Sequence, residues 1–299
     1  MRAASSAPAR LSLGPLLFNW DAARRRDFYF RIADEAPLDI VYLGEVTCSK
    51  RTVFFEQDLP AIVERLARAG KEVVHSTLAL VTSERECCAL QELAAEAGLM
   101  VEANDMAAVR LLGGRPHVIG PFVNVYNEGT LRFLKERGAV RAVLPAELPR
   151  DAVTALAERA NGVEIELQAF GRLPLALSAR CYHARAHGLH KDGCQYVCGL
   201  DDDGMAVETL DGEGFLAVNG TQTLSITARS LLPELPPLSR AGADIFRLWP
   251  HAVDMVAVAT LFRDVLDGRA EPAASEARLA AAVPFAALSR ALFEGVGLG

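Results

Sequence analysis

Cys181, Cys194 and Cys198 carry the most evident chemistry in this sequence. Twelve residues separate the first pair and three the second. Lys191-Asp192-Gly193 and Cys198-Gly199 surround them with polar, flexible backbone, as a loop wrapped on an inorganic centre requires. Three thiolates fill three positions of a zinc ion or hold three corners of a cubane iron–sulfur cluster. A fourth ligand must come from elsewhere. Cys48 is the natural candidate, because it follows the strand-like Ile40–Leu43 and so sits at the rim that a strand's C-terminal end creates. A zinc site of Cys181, His183, Cys194 and Cys198 is the rival, and spacing alone does not decide between them.

The remaining candidates are carboxylates and polar groups near strand ends. Glu164 and Glu166 alternate with apolar residues, which puts both on one face of a strand, either as an acid/base pair or as part of a salt-bridged interior. Glu45, Asn104, Asn124, Asn127 and Arg180 lie at or beyond expected strand ends, where polar groups line pockets; Asn127 equally suits a helix cap. Cys87 shares a helical stripe with Leu90, Ala94 and Ala97, so it and Cys88 are expected to pack as small apolar groups. The sequence has no HExxH helix, GxSxG elbow or phosphate loop, and Gly113-Gly114 follows a helix and stops it.

These residues are carried by an alternating chain. Strand-like runs at Leu11–Phe18, Asp39–Leu43, Glu72–Leu78, Leu99–Ala103, His117–Ile119, Val140–Leu144 and Val163–Leu167 are separated by helical segments with proper ends. Pro60 opens one and Gly70 closes it; Asp105 caps Met106–Leu112; Thr130–Arg137 stops at Gly138, and Asp151–Ala160 at Asn161-Gly162. Seven such strands before residue 170 point to an α/β fold, a TIM-like (β/α) barrel, ahead of a doubly wound open sheet. After Phe170 the rhythm breaks, giving a cysteine loop and a hairpin (Val207–Leu210 with Phe215–Val218) as an insertion at about 171–225. Asp244–Leu248 then reads as the returning strand, Met255–Leu266 as its helix, and Ala273–Phe293 as an outer helix with an interruption at Pro284. We take residues 1–299 as one barrel domain.

With 299 residues, 51% hydrophobic and 23% charged, the chain can bury a sizeable core. A net charge of −7 offers no basic stripe for nucleic acid. No apolar run is long enough to span a membrane, and the first residues suit a short tail before the first strand. A cytoplasmic setting with reduced thiols is expected, in which clustered cysteines serve metals rather than disulfides.

Four segments together carry a family resemblance: LGEVTCSKR (Leu43–Arg51), ELQAFGRLPLALSARCYHAR (Glu166–Arg185), KDGCQYVC (Lys191–Cys198) and VNGTQTLS (Val218–Ser225). They resemble the collagenase-like, unassigned-peptidase superfamily, and within it the UbiV-like ubiquinone-biosynthesis accessory proteins, over about Leu11 to Leu266. The resemblance implies a 4Fe-4S cluster on Cys48, Cys181, Cys194 and Cys198. It also implies pairing with a UbiU-like sister protein as a heterodimer, help from a UbiT-like lipid carrier, and a quinone precursor hydroxylated without molecular oxygen. Such chemistry needs an electron route, which side chains do not supply and a cluster does. Two other classes stay open at this point: a zinc-stabilised scaffold without redox chemistry, and a hydrolase using Glu164 or Glu166.

Overall fold

Short β-branched runs buried on both faces, each followed by an amphipathic helix, suit parallel strands wrapped by helices. The computed structural model describes residues 8–297 and contains that arrangement. Seven strands follow one another: β1 (Arg10–Leu13), β2 (Ile40–Gly44), β3 (Glu72–Ser76), β4 (Met100–Ala103), β5 (His117–Ile119), β6 (Ala139–Val143) and β7 (Glu164–Leu177). An insertion then carries β8 (Met205–Glu208), β9 (Gly214–Asn219) and β10 (Gln222–Ser230), before β11 (Ile245–Leu248) and the short β12 (Leu288–Ser289). Strands β1 to β7 pair in sequence, and β11 closes the ring by pairing in parallel with both β7 and β1. The result is a closed eight-stranded parallel barrel with helices outside it.

Ten helices accompany the strands among the described residues: α1 (Ala22–Glu35), α2 (Leu59–Arg68), α3 (Glu84–Ala95), α4 (Met106–Leu111), α5 (Glu128–Lys135), α6 (Arg150–Glu158), α7 (Tyr182–Ala186), α8 (Leu235–Arg240), α9 (Met255–Leu266) and α10 (Pro272–Ala282). None of those described is long and apolar enough to cross a membrane. The expected caps at Asp105 and Asn127 are made: their side chains accept from the backbone N–H groups of Ala108 and Thr130.

Three elements differ from the sequence reading. Strand β7 does not stop at Leu167. Its first half stays in the barrel, and beyond Phe170 it runs on to pair antiparallel with β10. Gly171, at φ +108°, allows the change of direction. The insertion is thus built on an extended barrel strand. The expected helix Ala273–Phe293 ends at Ala282, and the chain beyond Pro284 lays β12 against β10. Cys87 and Cys88 are exposed, since α3 presses only Leu90, Leu93 and Ala94 onto the barrel wall. The expected N-terminal tail falls on residues 1–7, outside those described, and β1 begins at Arg10.

The barrel interior is filled from end to end. Near the N-terminal ends of the strands, Arg141 bonds Glu164 (3.0 Å) and Glu72 (3.2 Å), while Arg10 pairs with the same two carboxylates. One layer up, Glu166 accepts from Ser12 (2.6 Å), Tyr42 (2.5 Å) and Arg247 Nε (2.7 Å). Arg247 Nη2 also lies 2.8 Å from Glu102 Oε1, as a close ion pair off-line for a hydrogen bond. At the C-terminal end Trp249 donates to Gln168 and packs with Leu17, Val46 and Phe122 as a plug.

Candidate functional site

The rim that carries sites in such barrels is shaped here by the β2–α2 connection and by the insertion. After β2, Glu45 turns its Oε1 back to accept from the N–H groups of Thr47 (2.9 Å) and Cys48 (3.0 Å), which fixes the course of the chain at Cys48. A 3-10 turn, Ser49–Phe54, follows and carries Lys50 and Arg51. On the insertion side, Cys181 caps α7, its sulfur accepting from the N–H of Ala184 at 3.4 Å. Two further 3-10 turns, Lys191–Gly193 and Val197–Leu200, present Cys194 and Cys198.

Cys48, Cys181, Cys194 and Cys198 line one small cavity, of about 20 Å³, together with Lys50, Arg51, Lys191 and Tyr196. Thiols more than 130 residues apart in sequence therefore share one pocket. Three cations line it, and no Asp or Glu among the described residues does. Lys50 is tied across the cavity by a 2.6 Å bond to the carbonyl of Lys191.

Arg51 is the most constrained of the three. It is buried and donates to the carbonyl of Leu17 (2.9 Å) and to Asn219 Oδ1 (2.7 Å), with Glu45 Oε1 at 4.0 Å and a side-chain hydrogen bond to Cys198. Asn219 in turn donates to the carbonyls of Cys198 and Asp201. Gly220, at φ +68°, lies where a Cβ would collide with Arg51 Nη2, so glycine there makes room for the guanidinium. Sequence reading passed over Arg51; its signal was a lone arginine three residues after a candidate ligand.

Burial pushes the Cys48 and Cys181 thiols above their usual range. Nearby Arg51 works against that at both, without overcoming it. Among the described residues no three His, Cys, Asp or Glu side chains are arranged to hold a single metal ion. A zinc ion draws its thiolates to one point at ~2.3 Å, whereas a cubane takes each thiolate on a different iron. His183, the zinc alternative, is not on the cavity wall. Its Nδ1 faces the Val218 carbonyl at 3.3 Å and its Nε2 faces Asp201 at 3.0 Å.

The other candidates separate from this site. Glu166 is fully buried; burial opposes its charge, but Arg247 and Arg141 outweigh that and hold the carboxyl below its ordinary range. It is a member of the interior ion network and has no open space beside it in which to move a proton to a substrate. Asn104 joins the same network through Glu102 and Thr77. Asn124 ends a 3-10 turn in the left-handed conformation. Arg180 is exposed, its side chain outside the thiol cavity. Among the described residues no Ser, Thr or Cys side chain hydrogen-bonds a histidine ring, the pairing that an activated nucleophile shows.

A closed parallel barrel with a cysteine-lined cavity at its rim defines the class of protein. The chain belongs to peptidase family U32, whose sequence profile matches residues 27–288. Similar solved structures include a tryptophan synthase complex from Pyrococcus furiosus, with TM-score 0.42, 13% identity, and coverage of 93% of this chain and 98% of that one. Mycobacterium tuberculosis tryptophan synthase is another, with TM-score 0.37, 12% identity and 88% of each chain covered.

Proposed function

We propose that this protein is the iron–sulfur subunit of an oxygen-independent hydroxylase, a UbiV-like member of its family that acts in ubiquinone biosynthesis. The observation that carries this reading is the meeting of Cys48 with Cys181, Cys194 and Cys198 around one cavity lined by three cations. Those thiols would hold a 4Fe-4S cluster, which when bound supplies one-electron transfer. Lys50, Arg51 and Lys191 would offset the negative charge of a thiolate-ligated centre. Arg51, held by the Leu17 carbonyl and Asn219, would keep its charge at a fixed place beside Cys198. Four thiolates leave no iron corner free for a substrate, which favours electron transfer or a structural role over direct ligation.

The filled barrel speaks for the same division of labour. Its interior is taken up by the Glu166–Arg247–Glu102 network and its mouth by the Trp249 plug, so hydrolysis inside it by Glu166 has no room, while Glu164 is tied to Arg10 and Arg141 at the opposite end. We therefore read the chain as a required cytoplasmic subunit that works with a UbiU-like sister, and with a UbiT-like carrier presenting the quinone precursor.

The test is purification without oxygen, with and without the sister protein, followed by iron and acid-labile sulfide analysis and an absorption spectrum. A brown protein with about four irons and four sulfides per chain supports the reading. Colourless protein with stoichiometric zinc refutes it.

A further inference from the structure

The large apolar side chains exposed among the described residues are not spread evenly. Five of the thirteen, Val53, Phe54, Tyr182, Tyr196 and Leu200, belong to the two short segments, 48–55 and 178–200, that bear the four cysteines. Phe54 and Tyr196 meet edge to face at 4.6 Å, which joins the two segments beside the thiol cavity that Tyr196 lines. Leu200 ends the 3-10 turn that carries Cys198 and is 72% exposed. Single apolar groups are ordinary on a surface, whereas a cluster rimmed by polar ones marks an interaction site. Cys48 and Cys194 are themselves partly exposed, so a centre held by the thiols lies just beneath this face.

Charge singles out the same face. Of the chain's 31 Lys+Arg and 38 Asp+Glu, these segments hold five cations and one carboxylate, Asp192, leaving the remainder with 26 cations to 37 carboxylates. Arg51 is buried, and Lys50 is tied to the carbonyl of Lys191 and to Asp192. Arg180 and Arg185 flank Cys181, are exposed, and pair with no carboxylate among the described residues. The acids that follow the second segment are engaged: Asp201 with His183, Asp202 with Arg24 and Asp203 with His251. Glu56, next to Phe55, is the one adjoining acid without a partner among the described residues.

An apolar centre bordered by free arginines fits a protein surface of opposite sign. A second copy of this chain does not supply one, because a two-fold contact through this face sets Arg180 and Arg185 against like charges. A nucleic acid is disfavoured by the excess of carboxylates on the rest of the chain, and Val53 and Leu200 offer no ring on which a base could stack.

We propose that this face docks a small acidic electron-carrier protein, whose apolar patch seats on Phe54, Tyr196 and Leu200 and whose bordering carboxylates meet Arg180 and Arg185. The reduced carrier gives up one electron and the centre beneath the face takes it; no bond and no proton moves. That use rests on the function proposed above, whereas the docking face rests on the exposed groups alone.

The test is calorimetric titration of the full chain, prepared without oxygen, with a plant-type 2Fe–2S ferredoxin as the acidic carrier. Cytochrome c, a basic carrier, and a single-stranded RNA oligonucleotide serve as comparators. Saturable ferredoxin binding is expected at low salt, about tenfold weaker at high salt, as charge-steered contacts are. Arg180→Glu with Arg185→Glu, and separately Leu200→Asp, should each weaken it by about tenfold or more, while Met106→Ser, equally exposed on α4, leaves it unchanged. Reduced ferredoxin should be reoxidised by the iron-loaded chain, more slowly by the double variant. Absence of saturable binding, tighter binding of cytochrome c or RNA, or wild-type affinity in both rim variants overturns the proposal. So does a homodimer that the rim variants disrupt, or a sister protein whose binding excludes ferredoxin. Ferredoxin binding to a chain that takes up no iron sinks the cluster reading and leaves the docking face standing; iron without ferredoxin binding does the reverse.

Discussion

Replacing Glu166 by Gln decides whether that carboxylate holds the barrel together or performs chemistry. Its oxygens accept from Ser12, Tyr42 and Arg247, and all four residues are sealed from water. Arg247 would be left with Glu102 alone, its ring contact with Tyr42 at 3.9 Å offering little against a buried positive charge. Breaking a buried ion pair from one side costs about 3–5 kcal/mol, a large share of the ~5–15 kcal/mol that holds a domain folded. At ~2–4 °C per kcal/mol, the melting temperature should fall by roughly 10 °C. Removing both charges in Glu166→Leu with Arg247→Met should cost less than the sum of the single changes, because neither then strands the other. Urea denaturation of the five proteins (wild type, Glu166→Gln, Glu166→Leu, Arg247→Met and the double variant) measures this directly. A Glu166→Gln protein within about 1 kcal/mol of wild type would refute the network account, since a group that interior must be paid for in stability when its partner is lost.

Three further outcomes are expected. Arg51→Gln and Gly220→Ala should each lower the iron retained after anaerobic purification severalfold, the second by driving Arg51 from its place; full iron in both would deny the guanidinium its role. Burial holds the His251 pKa below 6.5, with Asp203 opposing, so the folded state favours the neutral ring. The unfolded chain then takes up the proton first, and stability, fully present above the unfolded pKa of about 6.5, is lost as pH falls toward the folded value. The urea midpoint should drop between pH 7.5 and 5.5, and His251→Gln should flatten that slope; an unchanged slope would contradict it. A small maleimide should label Cys87 and Cys88 rapidly in the native protein and Cys181 and Cys198 slowly, which mass spectrometry of the labelled peptides reads out; equal rates would contradict the burial assigned to the last two.

Much of the barrel was legible because each strand is a short apolar run closed by a capped or glycine-stopped helix, as at Asp105 and Gly138. The extension of β7 was not, since Gly171 and Pro174 look like a strand's end when the partner strand is unseen. That partner, β10, alternates Leu224, Ile226 and Ala228 with Ser225 and Thr227, but nothing in that pattern says which strand it joins. The convergence of the cysteines could be argued from the rim position of Cys48, but Arg51 could not, because its partners Leu17 and Asn219 lie 34 and 168 residues away, on either side of it in the chain. Nor could the fate of Glu166: Arg247, Tyr42 and Ser12 approach it from three other strands, and only closure of the ring brings them to it. Cys87 misled because a helical stripe shows which face turns inward, not how many turns of it reach the wall.

If four thiols distant in sequence hold one inorganic core, as proposed, the iron content of single-cysteine variants will show it. Cys48→Ala, prepared without oxygen, should lose its iron and colour as fully as Cys194→Ala, while Cys87→Ala and Cys88→Ala keep both. A Cys48→Ala protein that stays brown with undiminished iron would contradict the claim.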